Sequence, residues 1–115
     1  MLFRSPLLME PEEHDKSVAL VSHLPHVLSF SFSQTVRELS SPTHAQAVAG
    51  SSYRDMIRVA ASSPELWSGI FLENSEALLV AVHAYQQSLG RLEVAIEKGD
   101  REALLALLHQ FAKRE

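Results

Sequence analysis

The sequence contains no cysteine among its 115 residues. This absence excludes a disulfide-stabilised scaffold, thiol catalysis and any zinc site with cysteine ligands, and it fits a reducing compartment such as the cytoplasm. Glycine is sparse as well, with four residues, and no GxGxxG pattern occurs. A dinucleotide site of the Rossmann type is therefore not expected within this chain.

The chain also lacks a basic block and a long apolar run. Its net charge is −4 and its pI is about 5.8, and a nucleic-acid partner is not expected without a basic stripe to displace counterions. The first residues, MLFRSPLLMEP, are divided by Arg4 and Pro6. They are too short and too interrupted for a signal peptide or a membrane span, so no membrane association is expected.

Proline and capping residues mark the starts of the expected helices. Pro11, Pro42 and Pro64 stand at first helical positions, the last two behind a serine, and Asn74 and Asp100 can cap two more helices. No segment after residue 10 alternates with period two, which argues against a sheet. The sequence predicts helices over 11–23, 25–39, 42–48, 53–61, 64–72, 75–98 and 101–113. We expect one all-α domain over residues 11–115, preceded by a short strand within residues 1–10.

The two C-terminal helices carry the clearest apolar pattern. Large side chains in the longest helix are spaced by four and three residues, which predicts a seam of the coiled-coil type: Leu78, Val82, Tyr85, Leu89, Leu92 and Ile96. The last helix, after a tight turn at Gly99, is its expected partner. Leucines at 104, 105, 107 and 108 nearly encircle that last helix. This distribution predicts burial on two sides and hence a second subunit or domain.

The segment VSHLPH, residues 21–26, is the first candidate site. His23 and His26 are spaced i, i+3 and share a helix face, with Ser22 four residues before His26. Pro25 bends the helix and leaves a carbonyl near residue 21 free to accept a hydrogen bond. A zinc site lacks a third ligand at matching spacing, so we expect no metal. Two alternatives remain open, a pair of histidines satisfied within a polar seam and a substrate-binding role.

The second candidate is SYRDMIRVAASSPELW, residues 52–67. Arg54, Asp55 and Arg58 fall within one helical turn, and Asp55 and Arg58 can form an ordinary surface ion pair. The flanking residues are apolar, so Arg58 is expected to be partly buried. A buried guanidinium needs a carboxylate, which a substrate or a neighbouring subunit can provide. The residues alone do not decide between the ion pair and an anion site.

These segments occur in an order that resembles a known family. The series PEEHD, VALVSHLPH, YRDMIRVAASSPELW and FLEN is similar to the C-terminal helical domain of prephenate and arogenate dehydrogenases. The resemblance extends from about residue 8 to the end of the chain. It implies an all-helical dimerisation domain, and it implies that residues 1–10 are the remnant of the last strand of a Rossmann domain that binds NAD or NADP.

The resemblance also implies a reaction and a set of roles. The family oxidatively decarboxylates prephenate to 4-hydroxyphenylpyruvate in tyrosine biosynthesis, transferring a hydride from the ring to the nicotinamide. It implies Arg58 as the main carboxylate contact, His26 and Ser22 as polar contacts to prephenate or tyrosine, and His23 and Trp67 beside the pocket. Asp55 and Arg54 would support them, and Asp55 would orient an arginine, either of its own chain or across the dimer.

The expected function is thus the substrate-binding and dimerisation part of a prephenate dehydrogenase. The catalytic and cofactor-binding residues would belong to the Rossmann domain, so this chain alone is expected to be inactive and to bind no cofactor. The alternative is a stand-alone, non-enzymatic helical module that dimerises or senses tyrosine.

Overall fold

A computed structural model describes residues 8–113, which are helical along nearly their whole length. The elements are α1 Pro11–Val18, a π-turn Ala19–His23, α2 Leu24–Leu39, α3 Pro42–Val48, α4 Ser51–Ala60, α5 Pro64–Glu73, α6 Ser75–Lys98 and α7 Arg101–Phe111. Residues 8–113 contain no strand, in agreement with the predicted all-α fold. The expected strand within residues 1–10 lies mostly outside the described residues, and positions 8–10 have no regular structure. No helix of the described region is long and apolar enough to cross a membrane.

Three of the predicted helix starts are confirmed by their caps, whereas α4 begins at Ser51, two residues before its predicted start. The side chain of Ser41 accepts a hydrogen bond from the His44 amide at 3.1 Å, and that of Ser63 accepts one from the Leu66 amide at 3.2 Å. Asp100 caps α7 in the same way, through the Ala103 amide at 3.1 Å. These side chains satisfy amide groups that have no partner in the first helical turn. Gly99 adopts φ 64° between α6 and α7, a conformation that glycine tolerates without strain.

The helix around Pro25 differs from the expectation of a break. α1, the π-turn and α2 follow one another without interruption, and the Leu24 amide bonds to the carbonyl of Ala19, five residues back. Pro25 is the second residue of α2, directly after the π-turn, where the hydrogen bonds change from five residues back to four residues back. The wider π-turn, which absorbs one extra residue, accommodates the proline without ending the helix.

The residues up to Ala81 form one compact unit. Within it α4 packs along α2, where the small buried side chains of Ser29 and Ser33 allow the helices to approach closely. The Ser29 hydroxyl lies 3.9 Å from the Met56 sulfur, and the Phe32 and Tyr53 rings meet edge-on at 6.1 Å. Phe32 lies three residues after Ser29 on α2, whereas its partner Tyr53 lies three residues before Met56 on α4. The two helices are therefore antiparallel.

The residues from Val82 onward form a second compact unit. Its buried position is Ala95, whereas Tyr85, Leu89 and Ile96 of the predicted seam are exposed. The seam prediction was therefore only partly correct, since spacing shows that large side chains share a stripe but not that the stripe is covered. The Arg91 guanidinium lies 5.1 Å from the centre of the Phe111 ring, which joins α6 to α7 across the Gly99 turn.

Candidate functional site

The centre of the candidate site is Trp67 of α5, which contacts both predicted histidines. Its ring stacks on that of His26, with centroids 3.5 Å apart and an interplanar angle of 14°. The His23 ring approaches the same tryptophan edge-on, at 6.2 Å and 80°. The structure thus brings together three of the residues predicted from sequence, although they come from segments some 40 residues apart.

Two phenylalanines extend this cluster. Phe71, one turn after Trp67 on α5, lies 5.7 Å from the tryptophan ring. Phe30 of α2 meets Phe71 edge-on at 6.3 Å. Offset and edge-on aromatic pairs each add about 0.5–1.5 kcal/mol beyond the area that they bury. The cluster therefore holds Trp67 against α2 and fixes one wall of the site.

The side chain of His26 bonds to the main chain of the turn before it. Its Nδ1 lies 2.9 Å from the carbonyl oxygen of Ser22. A carbonyl oxygen only accepts, so Nδ1 must donate. In the neutral ring, Nε2 then has a free lone pair and acts as a hydrogen-bond acceptor. A carbonyl near residue 21 was expected to be free to accept a hydrogen bond, and in the structure the Ser22 carbonyl accepts one from this imidazole.

His23 is buried, with 9% of its surface exposed. Its Nδ1 lies 3.4 Å from Nδ2 of Asn74, and the same Nδ2 donates to the carbonyl of Asp15 at 2.9 Å. Burial lowers the pKa of His23 below its ordinary value of 6.5, and the positive charge of a protonated His26 lowers it further. His23 is therefore held as a neutral imidazole at physiological pH.

An open groove of about 350 Å³ lies beside these residues. It is bounded by side chains of α1, the π-turn, α5 and the residue after α5: His14, Asp15, Val18, Ser22, His23, Trp67, Ile70, Glu73 and Asn74. Residues spaced i, i+5 align in a π-turn, whereas residues spaced i, i+4 align in an α-helix. The π-turn thus lets Val18, Ser22 and His23 line one groove together.

The charged groups around the groove are mainly acidic. Asp15 and Glu73 line it, and the imidazole of His14 lies 3.6 Å from the Asp15 carboxylate. Its lining includes no arginine or lysine. Across residues 8–113 no group of three or more histidine or acidic side chains is placed to hold a metal ion. The groove therefore offers an aromatic wall, two carboxylates and uncharged hydrogen-bonding groups, and an anion would need a cation from elsewhere.

Arg54, Asp55 and Arg58 form a separate cluster on α4. An Arg58 Nη2 donates to Asp55 at 2.9 Å, and the two side chains are 72% and 68% exposed. The expected partial burial of Arg58 was therefore wrong. The apolar neighbours Ile57 and Val59 turn toward the protein, whereas positions 55 and 58 share the outer face of the helix.

The antiparallel packing of α2 and α4 still brings the end of α4 toward the histidines. Met56 lies opposite Ser29, so the next turn of α4, which holds Arg58, comes level with the turn of α2 that holds His26. Arg54, at the other end, donates to the carbonyl of Ala49 at 3.3 Å and stays near the start of the helix. Arg58 is thus the arginine of this cluster on the side of the candidate site.

Asn74 is a site residue that the sequence did not identify as one. Its main-chain carbonyl accepts from the Leu78 amide at 3.0 Å at the start of α6, and its side-chain amide donates to the carbonyl of Asp15 and approaches His23. These two side-chain partners are 59 and 51 residues away in the chain, so no local spacing pattern could reveal the contact.

Residues 10–110 match the family described as "Prephenate dehydrogenase, dimerization domain". The chain belongs to the prephenate dehydrogenase family. It is 42% identical, over 100 residues and 85% of its length, to a cyclohexadienyl dehydrogenase of Zymomonas mobilis. It is 31% identical, over 97 residues, to a prephenate dehydrogenase of Bacillus subtilis.

Solved structures of the prephenate dehydrogenase family share this helical fold. The arogenate dehydrogenase of Synechocystis superposes with a TM-score of 0.83 at 34% identity, covering 90% of this chain. The prephenate dehydrogenase of A. aeolicus, solved with hydroxyphenyl propionate and NAD+, superposes with a TM-score of 0.79 at 35% identity. The chain spans about a third of the length of its relatives: 34% of the Z. mobilis protein and 38% and 36% of these two chains.

Proposed function

We propose that this chain is the dimerisation and substrate-binding part of a dehydrogenase that acts on prephenate or arogenate in tyrosine biosynthesis. The family match over residues 10–110 and the names of the relatives support the proposal. A Rossmann domain, for which residues 1–10 would be the connecting segment, would bind NAD or NADP. The complete enzyme would be a homodimer.

The observation that carries the proposal is that His23 and Trp67 line one groove while His26 stacks on Trp67. A flat aromatic wall suits a six-membered ring, and imidazole nitrogens suit its oxygen substituents. Ser22, which lines the groove and whose carbonyl fixes His26, would complete these polar contacts. This combination suits a cyclic hydroxy acid better than a phosphate or a metal ion.

Arg58 would bind a substrate carboxylate. Its guanidinium is exposed, and Asp55 of its own helix holds it in place from one side. The fork of an arginine pairs with a carboxylate through two parallel hydrogen bonds. Asp55 would orient this fork, and Arg54 would add positive charge near the start of the same helix.

The residues of this chain would bind and orient, and they would leave the redox step to the other domain. Holding the carboxylate at Arg58 and the ring against Trp67 would fix the ring carbon that loses its hydride. The nicotinamide would accept that hydride while the ring loses carbon dioxide and becomes aromatic. We expect no dehydrogenase activity from this chain alone.

A chimera with the Z. mobilis relative tests the proposal. Residues 10–110 replace the matching region of that enzyme, and reduction of NAD+ or NADP+ by prephenate or arogenate is measured. The proposal expects activity, with kcat/KM reduced at least tenfold by Arg58→Ala and unchanged by Arg101→Ala, an exposed arginine at the start of α7. A folded, dimeric chimera without activity would contradict it. If the isolated chain then still bound tyrosine, the alternative of a non-enzymatic sensing module would be favoured.

Trp67 provides a binding assay on the isolated chain, since it is the single tryptophan. Hydroxyphenyl propionate, the compound bound in the A. aeolicus structure, serves as the probe. A saturable change in tryptophan emission is expected, because the ligand ring would lie against the indole. No change up to millimolar probe would count against the groove as the ring site.

A further inference from the structure

We propose that Asn74 is a positioning residue, which fixes the ring proton of His23 on Nε2. Asn74 does not have to touch the substrate in this role, which depends on two contacts of its side-chain amide. Asn74 Nδ2 lies 2.9 Å from the carbonyl oxygen of Asp15 and 3.4 Å from Nδ1 of His23.

The carbonyl of Asp15 determines which way the Asn74 amide faces. At 2.9 Å from a carbonyl oxygen, the amide must present its NH₂ group, because its own oxygen would meet a second acceptor there. The Asp15 carbonyl is a main-chain group, which can only accept a hydrogen bond. The orientation of Asn74 is therefore set by the backbone of α1.

The orientation of Asn74 then determines the tautomer of His23. The NH₂ group has two hydrogens, and one is used at Asp15, so the other faces Nδ1 of His23. A nitrogen that faces an N–H must accept, so Nδ1 is unprotonated. A neutral imidazole carries one proton, which is consequently on Nε2. The Asp15 carbonyl thus determines, through the Asn74 amide, which ring nitrogen of His23 donates a hydrogen bond.

The two histidines at Trp67 are held in opposite tautomers as a result. His26 donates from Nδ1 to the Ser22 carbonyl and accepts at Nε2, whereas His23 accepts at Nδ1 and donates from Nε2. A ligand that reaches both Nε2 atoms would meet one donor and one acceptor. This pair matches an oxygen acceptor next to a hydroxyl group. That last step rests on the proposed function, whereas the assignment of the tautomer does not.

The titratable groups near His23 come from three elements. His14 and Asp15 come from α1, His26 from α2 and Glu73 from α5. The group that lies against Nδ1 of His23 is Nδ2 of Asn74, at 3.4 Å. A change of the acidic groups would shift the charge near His23, and only a change at Asn74 would exchange its donor and acceptor nitrogens.

The test is the tautomer of His23, measured by imidazole ¹⁵N–¹H correlation spectra of the whole chain. In the wild type the spectrum should show the Nε2–H form above the pH at which the ring titrates. Asn74→Asp offers an acceptor in place of a donor, so the proton should move to Nδ1. Gln46→Glu makes the same amide-to-acid change on exposed α3 and should leave the His23 spectrum unchanged.

Two results would overturn the proposal: an Nδ1–H form in the wild type, or the same tautomer in the wild type and in Asn74→Asp. An Nδ1–H form in the wild type would overturn the proposal even if the aspartate variant does not fold, and Asn74→Ser then provides the comparison. Titration with hydroxyphenyl propionate on the same samples separates the two proposals. An Nε2–H tautomer without ligand binding would leave the positioning role intact and count against the proposed function, whereas binding about tenfold weaker in Asn74→Asp would support both.

Discussion

The rings of His26 and Trp67 are stacked face to face, with their centroids 3.5 Å apart. The contact joins α2 to α5 and places an imidazole between a tryptophan and the carbonyl of Ser22. Few side chains can satisfy both neighbours, because the position requires a flat ring and a donor at one edge. The pair therefore connects the hydrophobic packing of this unit to its hydrogen-bonding groups.

Loss of the stacked ring should destabilise the fold. His26→Ala removes the aromatic contact and the bond to Ser22, and we expect it to lower the free energy of unfolding by about 1–2 kcal/mol. Urea unfolding followed by circular dichroism measures the change. His44→Ala, on the exposed surface of α3, should alter stability by less than about 0.5 kcal/mol. Equal effects of the two substitutions would show that the stack contributes little.

The stability of the chain should decrease as the pH falls through the range in which histidine titrates. The pKa of His23 is lowered in the folded state, so the unfolded state binds more protons below about pH 6.5. Stability therefore rises with pH in this window, and the loss on acidification ends below the folded-state pKa. His23→Gln should reduce this slope between about pH 7 and 5.5, whereas His83→Gln, at an exposed site, should keep it. A slope that His23→Gln leaves unchanged would contradict this assignment.

Pro25 should be nearly neutral for stability. A proline inside a helix usually costs about 3 kcal/mol, but here it follows a π-turn and lies in the first turn of α2. Pro25→Ala should therefore change the free energy of unfolding by less than about 1 kcal/mol. Ser31→Pro, at an exposed position further along α2, should cost about 3 kcal/mol. If removal of Pro25 stabilised the chain by a similar amount, the π-turn would not be relieving the strain.

The exposed leucines of α7 should be needed for dimer formation. Leu105 and Leu108 are 52% and 45% exposed in the single chain, on the last helix of a domain whose family is named for dimerisation. Leu105→Glu should convert the dimer to a monomer at micromolar concentration, as measured by light scattering. Gln110→Glu adds the same charge to the same helix and should leave the dimer intact. A wild-type monomer would exclude this surface as a stable interface.

The helices could be predicted because their signals are local. Ser41, Ser63 and Asp100 cap the helices that follow them within three residues. When the π-turn is counted with α1, the predicted ends lie within two residues of the observed ones, the usual uncertainty of helix ends. The π-turn was not predicted, since it uses the same residue types as an α-helix and differs only in which carbonyl each amide finds.

The site was predicted in part. His23, His26 and Trp67 do meet, but the resemblance suggested the set, and spacing alone linked only the two histidines. The burial of Arg58 was wrongly inferred from apolar neighbours in the sequence, because a helix separates adjacent residues onto different faces. Asn74 could not be found from spacing, since both of its partners belong to the other end of the unit.

The contact between Asn74 and Asp15 uses the main chain of Asp15, and this has a consequence for sequence variation. Any residue type at position 15 presents the same carbonyl, so substitutions there should preserve the tautomer of His23. A one-residue deletion or insertion between positions 16 and 22 would instead remove or enlarge the π-turn and turn that carbonyl by about 100° around the helix axis. This segment should therefore tolerate changes of composition far better than changes of length. Libraries of variants that change its length would test this difference.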